Sequence, residues 1–121
     1  GMEKRTHTCG ELKLKDHDSK VCLMGWVNNW RDHGGLVFID LRDQYGITQV
    51  VFNPSVNTQI HKESQKLRNE FVIKLHGKVH GRPQGTVNPN LATGEIEIIV
   101  EDFEVIKSKT KKEVIAYTEK A

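Results

Sequence analysis

No apolar run in this chain approaches the ~20 residues that a membrane-spanning helix requires, so no segment reads as a span. The first twenty residues are polar and charged throughout, which leaves no hydrophobic stretch for a secretory signal. With neither span nor leader, the expected location is cytoplasmic and no membrane contact is expected. Gly1 ahead of Met2 reads as a remnant of tag cleavage and carries no weight. Cysteine is scarce as well. Cys9 and Cys22 form no close pair, and the six histidines do not fall at ligand spacing around them, which argues against a metal site. Reduced thiols are the expected state, and Cys22, inside an apolar stretch, should act as a small buried hydrophobe. An excess of either charge is also lacking. The net charge is only +2, so the chain is no polybasic sponge, and any nucleic-acid site must arise from local clustering. No phosphate-binding glycine loop or nucleophile in a recognisable turn occurs. Asp32-His33 and the Asp40/Asp43 pair offer acid–base groups without such a partner, so independent catalysis is not expected.

What is present is one domain's worth of chain, 121 residues with 36% hydrophobic and 28% charged side chains, enough for a real core. The pattern is mainly β. Residues 21–29 read as a first strand, with Val21, Leu23 and Val27 on one face and Cys22, Met24, Trp26 and Asn28 on the other. Residues 36–42 and 47–52 read as a hairpin across a tight Asp-Gln-Tyr-Gly turn, ended by Asn53-Pro54. Residues 57–69 hold Ile60 and Leu67 seven apart among helix formers, which predicts a short amphipathic helix capped by Asn57 or Thr58. In residues 71–81, Phe71, Ile73, Leu75 and Val79 should face in, and Lys74, His76, Lys78 and His80 out. A turn-rich loop over 82–90 leads to a fifth strand over 95–106, whose apolar register changes between Val100 and Phe103 and predicts a bulge. Five strands with the helix between the third and fourth is the order of an OB-fold Greek-key barrel, whose second and third strands usually face an oligonucleotide or oligosaccharide. An open α+β sheet is the alternative, which the helix position disfavours. Residues 1–107 are assigned to the barrel and 108–121 to a linker or frayed tail.

The most informative stretch is Trp30 to Gly46. In its strand Val37, Ile39 and Leu41 should be buried, which leaves Phe38 on the face of Asp40 and Arg42. An aromatic among polar neighbours on a sheet can hold a base by stacking, for about 1–3 kcal/mol whatever the base. It can equally pack beneath a loop of its own chain. Parity gathers Asn28, Trp30, Phe38, Gln49, Lys78, His80, Arg82 and Glu97 on one outer face, a set suited to stacking and hydrogen-bonding splayed bases. The bland alternatives stand beside this reading: Gln49 as a solvated amide, and Glu97 as one more solvated charge beside Glu95 and Glu101.

Six segments carry a further signal: Thr8-Cys-Gly-Glu-Leu12, Gly25-Trp-Val-Asn28, Arg31-Asp-His-Gly34, Phe38-Ile-Asp-Leu-Arg-Asp43, Leu67-Arg-Asn-Glu-Phe71 and Ala92-Thr-Gly-Glu-Ile96. Together, over residues 6–106, they resemble the N-terminal anticodon-binding domain of bacterial-type aspartyl-tRNA synthetases. The resemblance implies that Phe38 stacks on the middle anticodon base, a uracil, that Gln49 hydrogen-bonds that base, and that Glu97 reads the first-position guanine. It implies that Arg31 lies near the anticodon and that Arg82 and Asn88 lie near the third base or its phosphates. It further implies a homodimeric parent enzyme that ligates aspartate to its tRNA with ATP and Mg. No cofactor is expected in this segment, which lacks the ATP- and aspartate-binding motifs. Departures are also visible. Asn29, Trp30 and His80 stand where arginines are common, which implies a looser hold on the phosphates, and Lys111–Ala121 does not resemble the usual hinge. His33 with Gly85 resembles the nondiscriminating form, whose parent also charges the asparagine tRNA; the alternative is that His33 is a plain polar turn residue before Gly34-Gly35. A generic single-strand binder and a protein-interaction or dimerisation barrel are the rival functions.

Overall fold

The alternation of Val37, Ile39 and Leu41 with Leu36, Phe38, Asp40 and Arg42 gives one strand wall of a small barrel, in which the three aliphatic residues are fully buried. The structure is a computed structural model and describes residues 4–106; the tail expected over 108–121 lies outside the described residues. The strands are β1 (Lys20–His33), β2 (Leu36–Asp43), β3 (Gly46–Phe52), β4 (Val72–Gly81) and β5 (Ile96–Val105), with the helix α1 (Thr58–Ser64) between β3 and β4. They close in the order β1-β2-β3-β5-β4, which is the expected OB-fold barrel. Every neighbouring pair is antiparallel except β3 and β5, which meet in parallel through Val50↔Ile98 and Val51↔Ile99. No helix among the described residues is long and apolar enough to cross a membrane.

Two turns fix the register of β2. Gly34 and Gly35 have φ of 61° and 82° between the paired His33 and Leu36, the two-residue geometry that favours glycine. At the other end, Asp43 Oδ1 accepts from Tyr45 N (2.8 Å) and Gly46 N (3.1 Å), while its Oδ2 accepts from Cys9 N (2.9 Å). That buried carboxylate ties the N-terminal segment to the hairpin. Cys9 is buried with it, and burial, followed by the neighbouring Asp43 charge, pushes its thiol pKa up, so Cys9 is an inert part of the core. The core inside the barrel joins Leu23, Val27, Ile39, Leu41, Phe52, Leu75 and Ile98, and Ile60 and Leu67 from the helical segment cover its end. Burying each large aliphatic side chain contributes about 1.5–3 kcal/mol. α1 spans fewer residues than the expected 57–69; Asn57 is its cap, with its side chain accepting from Ile60 N at 3.0 Å.

Four side chains depart from simple parity or length. β1 runs on to His33, and its ladder slips between Val27 and Asn29, so Asn28 is an extra residue opposite β2. The bulge reverses the alternation beyond it. Trp30, expected on the outer face, therefore pairs with Ile39, packs on the core and donates its indole N–H to Ser64 O at 3.0 Å. Phe71, expected inside, is 39% exposed because it lies in the turn before β4, following Glu70 with its φ of 75°. Lys74, expected outside, is buried to 6% exposure while its ammonium stays 3.5 Å from Glu104 on β5. The fourth is Glu101, which is unpaired where His76↔Asp102 and Gly77↔Val100 leave a gap, the bulge expected in the fifth strand.

Candidate nucleic-acid interface

The outer face of β1, β2, β3 and β5 carries one connected polar network. The slip at Asn28 brings Arg31 opposite Phe38, and the β2–β3 ladder sets Asp40 opposite Gln49. The parallel closure of β3 on β5, through Val50↔Ile98, then draws Gln49 and Glu97 together from positions 48 apart in sequence. Gln49 is 4% exposed and Glu97 7%. Neither is a solvated surface group. Gln49 Nε2 donates to Glu97 Oε1 at 2.9 Å, and Gln49 Oε1 accepts from Arg31 Nη2 at 2.9 Å and from Arg82 Nη1 at 3.3 Å. The Arg31 guanidinium also lies over the Phe38 ring, 5.1 Å from its centroid, a cation–π contact.

Arg82 reaches the same spot from the start of the β4–β5 loop. Its Nε donates to Ile96 O at 3.1 Å and its Nη1 also approaches Thr86 O at 3.4 Å, whereas its buried Nη2 has no partner. Burial lowers its pKa from the ordinary value, and Arg31 adds to that, while Glu97 and Asp40 oppose it. A guanidinium so placed remains a cation and holds an N–H without a partner beside the cavity. The cavity encloses about 250 Å³ and is lined by Phe38, Gln49, Glu97, Arg31, Arg82 and His33 together with Leu36, Pro83 and Thr86. A larger hollow of about 520 Å³ is lined by Trp30, Gln65, Leu67, Arg68 and Asn69. Its one cation, Arg68, is already bonded to Gln65 O and Leu67 O, so that hollow offers less chemistry despite its size.

Six of the residues singled out from sequence thus converge. Three do not line this cavity. His80 turns to His17, with ring centroids 5.3 Å apart, and its Nδ1 is 2.7 Å from Gly81 O. Asn88 spends its Oδ1 on Asn90 N within its own loop. Gly85 sits in an open turn with a φ of 85°, closed by Thr86 N donating to Pro83 O at 3.0 Å. Leu36, Pro83 and Thr86 were not singled out, although Leu36 shares the parity of Phe38 and was available to the same reasoning. Among the described residues, no group of three or more His, Cys, Asp or Glu is placed to hold a metal ion.

Residues 21–106 match the tRNA anticodon family, described as an OB-fold nucleic acid binding domain. The chain is 54% identical over 111 residues to an aspartate–tRNA(Asp/Asn) ligase of Desulfatibacillum aliphaticivorans, covering 91% of this chain and 19% of that protein. It is 52% identical over 108 residues to the ligase of the same description from Protochlamydia amoebophila, covering 88% and 18% respectively. The chain therefore spans less than a fifth of the length of these curated relatives. Among solved structures, asparaginyl-tRNA synthetase from Pyrococcus horikoshii complexed with asparaginyl-adenylate is similar at 28% identity and a TM-score of 0.72, over 100% of this chain and 26% of that one. An OBody bound to hen egg-white lysozyme, at 20% identity and a TM-score of 0.75, covers 87% of this chain and 96% of its own and shares the fold.

Proposed function

Since this chain belongs to the tRNA anticodon family of OB-fold nucleic acid binding domains, we propose that its outer barrel face reads the GUC anticodon of aspartate tRNA as one module of an aspartate–tRNA ligase. The observation that carries the reading is the Phe38–Arg31–Gln49–Glu97–Arg82 network around one cavity. It combines a stacking platform, an amide, a carboxylate and two cations, the kinds of group by which proteins hold and identify unstacked bases. In this reading Phe38 stacks on the middle uracil, Gln49 bonds its edge and Glu97 accepts from the first-position guanine. Arg31 and Arg82 meet phosphates or the third base, His33 borders the third base, and His80, Gly85 and Asn88 contribute from the cavity's margin.

The dual tRNA named for the bacterial relatives, with His33 at the cavity, supports a relaxed third position that also admits the GUU anticodon. ATP and Mg would act in the rest of a longer, homodimeric enzyme, where aspartate is activated. This domain's part is to select the tRNA on which that chemistry is carried out. The test is titration of a GUC anticodon stem-loop against a stem-loop with a scrambled loop. Preferential binding of GUC supports the proposal. Equal binding makes the face a general single-strand binder, and no binding at low salt leaves a protein-interaction barrel.

A further inference from the structure

Glu97 touches Gln49 directly, and that contact gives it a task besides meeting a base. The Gln49 amide has one sense compatible with its neighbours. With Oε1 toward the two guanidiniums and Nε2 toward the carboxylate, all three contacts are favourable. Reversed, the amide would set its NH₂ group against Arg31 and Arg82 and its oxygen against Glu97, with donor facing donor and acceptor facing acceptor. Burial of Gln49 and Glu97 strengthens this preference, because water has little access to relieve the mismatch.

We propose that Glu97 is a positioning residue which locks the Gln49 amide so that only its oxygen faces the Phe38 platform, and thereby sets selectivity at the middle base. The inference rests on the anticodon reading above. Arg31 marks where the base goes: its planar guanidinium lies over Phe38 while its N–H is donated to Gln49 Oε1. A base that takes that place restores the contact that Arg31 gives up only if its ring offers an N–H. Uracil and guanine do so. Cytosine and adenine present a lone pair at the equivalent ring nitrogen and would leave two acceptors facing each other. The locked amide therefore rejects them by leaving a polar pair unmatched.

The test is Glu97→Gln, which keeps the shape and removes the charge. A glutamine at 97 can accept from Nε2 of Gln49 or donate to its oxygen, so the lock becomes ambiguous. Stem-loops reading GUC, GCC and AUC are titrated with the wild type, with Glu97→Gln and with Glu97→Asp, and the Gln49 side-chain amide is followed by ¹⁵N NMR in the free protein. We expect the preference for U over C at the middle base to fall at least fivefold in Glu97→Gln and to be largely kept in Glu97→Asp, which retains the carboxylate. The Gln49 NH₂ resonances should shift in Glu97→Gln. A middle-base preference unchanged within twofold overturns the proposal, whether only the first-base preference falls or affinity rises equally for all three loops. Failure of the anticodon reading has a different signature, a wild type that binds all three loops alike. The amide spectrum needs no RNA, and resonances that Glu97→Gln leaves in place overturn the lock by themselves.

Discussion

Phe38→Ala removes the ring on which a base would stack, and the structure bounds how large the effect should be. Stacking on an aromatic contributes about 1–3 kcal/mol per base. The free protein already uses that ring, since the Arg31 guanidinium lies 5.1 Å from its centroid. At a site this exposed, the cation–π contact is worth about 0.5–1 kcal/mol, and RNA must displace it before it can stack. Alanine abolishes both contacts, so the observed loss is their difference, which at mid-range values is about 1.2 kcal/mol, or roughly eightfold in Kd. The loss should be the same for loops with U or C in the middle, because every base has a π-face. Phe38→Trp should retain binding. The assay is fluorescence anisotropy with a labelled anticodon stem-loop at one fixed salt concentration, after circular dichroism has established that the variant is folded. Two results would refute the reasoning: a folded Phe38→Ala that binds as tightly as the wild type, or one whose loss is confined to loops with U in the middle.

Wild-type protein should prefer C over U at the third anticodon base by less than about tenfold, ~1.4 kcal/mol, and His33→Leu should widen that preference by narrowing the cavity edge where His33 stands; anisotropy with paired loops reads both numbers. Gly77→Ala should lower stability by about 1–3 kcal/mol through overpacking, because the added methyl would lie 2.5 Å from Ile99 O and 2.6 Å from Ile98 Cγ2. Urea denaturation measures the shift, and an unchanged midpoint would show that β4 and β5 can separate at that point.

The barrel was legible because its hairpin signals are local. The apolar alternation of 37, 39 and 41, the Gly34-Gly35 and Asp43–Gly46 turns and the helix between the third and fourth strands each depend on neighbours in sequence. Convergence of Phe38, Gln49 and Glu97 on one face also followed from alternation. Their mutual bonding did not, since Gln49 and Glu97 meet only once β3 and β5 pair in parallel. Nor did their burial: a carboxylate and an amide on a strand exterior look solvated until Arg31 and Arg82 are seen to cover them. Trp30 was misplaced because the extra residue, the first of two adjacent polar asparagines, leaves no trace in the hydrophobic pattern. Phe71 was misplaced because strand parity was carried into a turn, and Lys74 because its long apolar stem lets a charged residue occupy an otherwise buried position.

The bulge at Asn28 makes this point of β1 a buffer for chain length. Upstream, Trp26 and Val27 pair with Arg42 and Leu41; downstream, residues 29–33 pair with residues 40–36, and the two stretches of this ladder disagree by one residue. A codon lost at Asn28 would remove the disagreement and leave Asn29↔Asp40, Trp30↔Ile39 and Arg31↔Phe38 as they are, with Trp30 still inside and Arg31 still outside. A codon lost within 30–33 would instead carry the following side chains to the opposite side of the sheet. Genes for this barrel can therefore shorten at one place in the strand without turning its outer polar face inward.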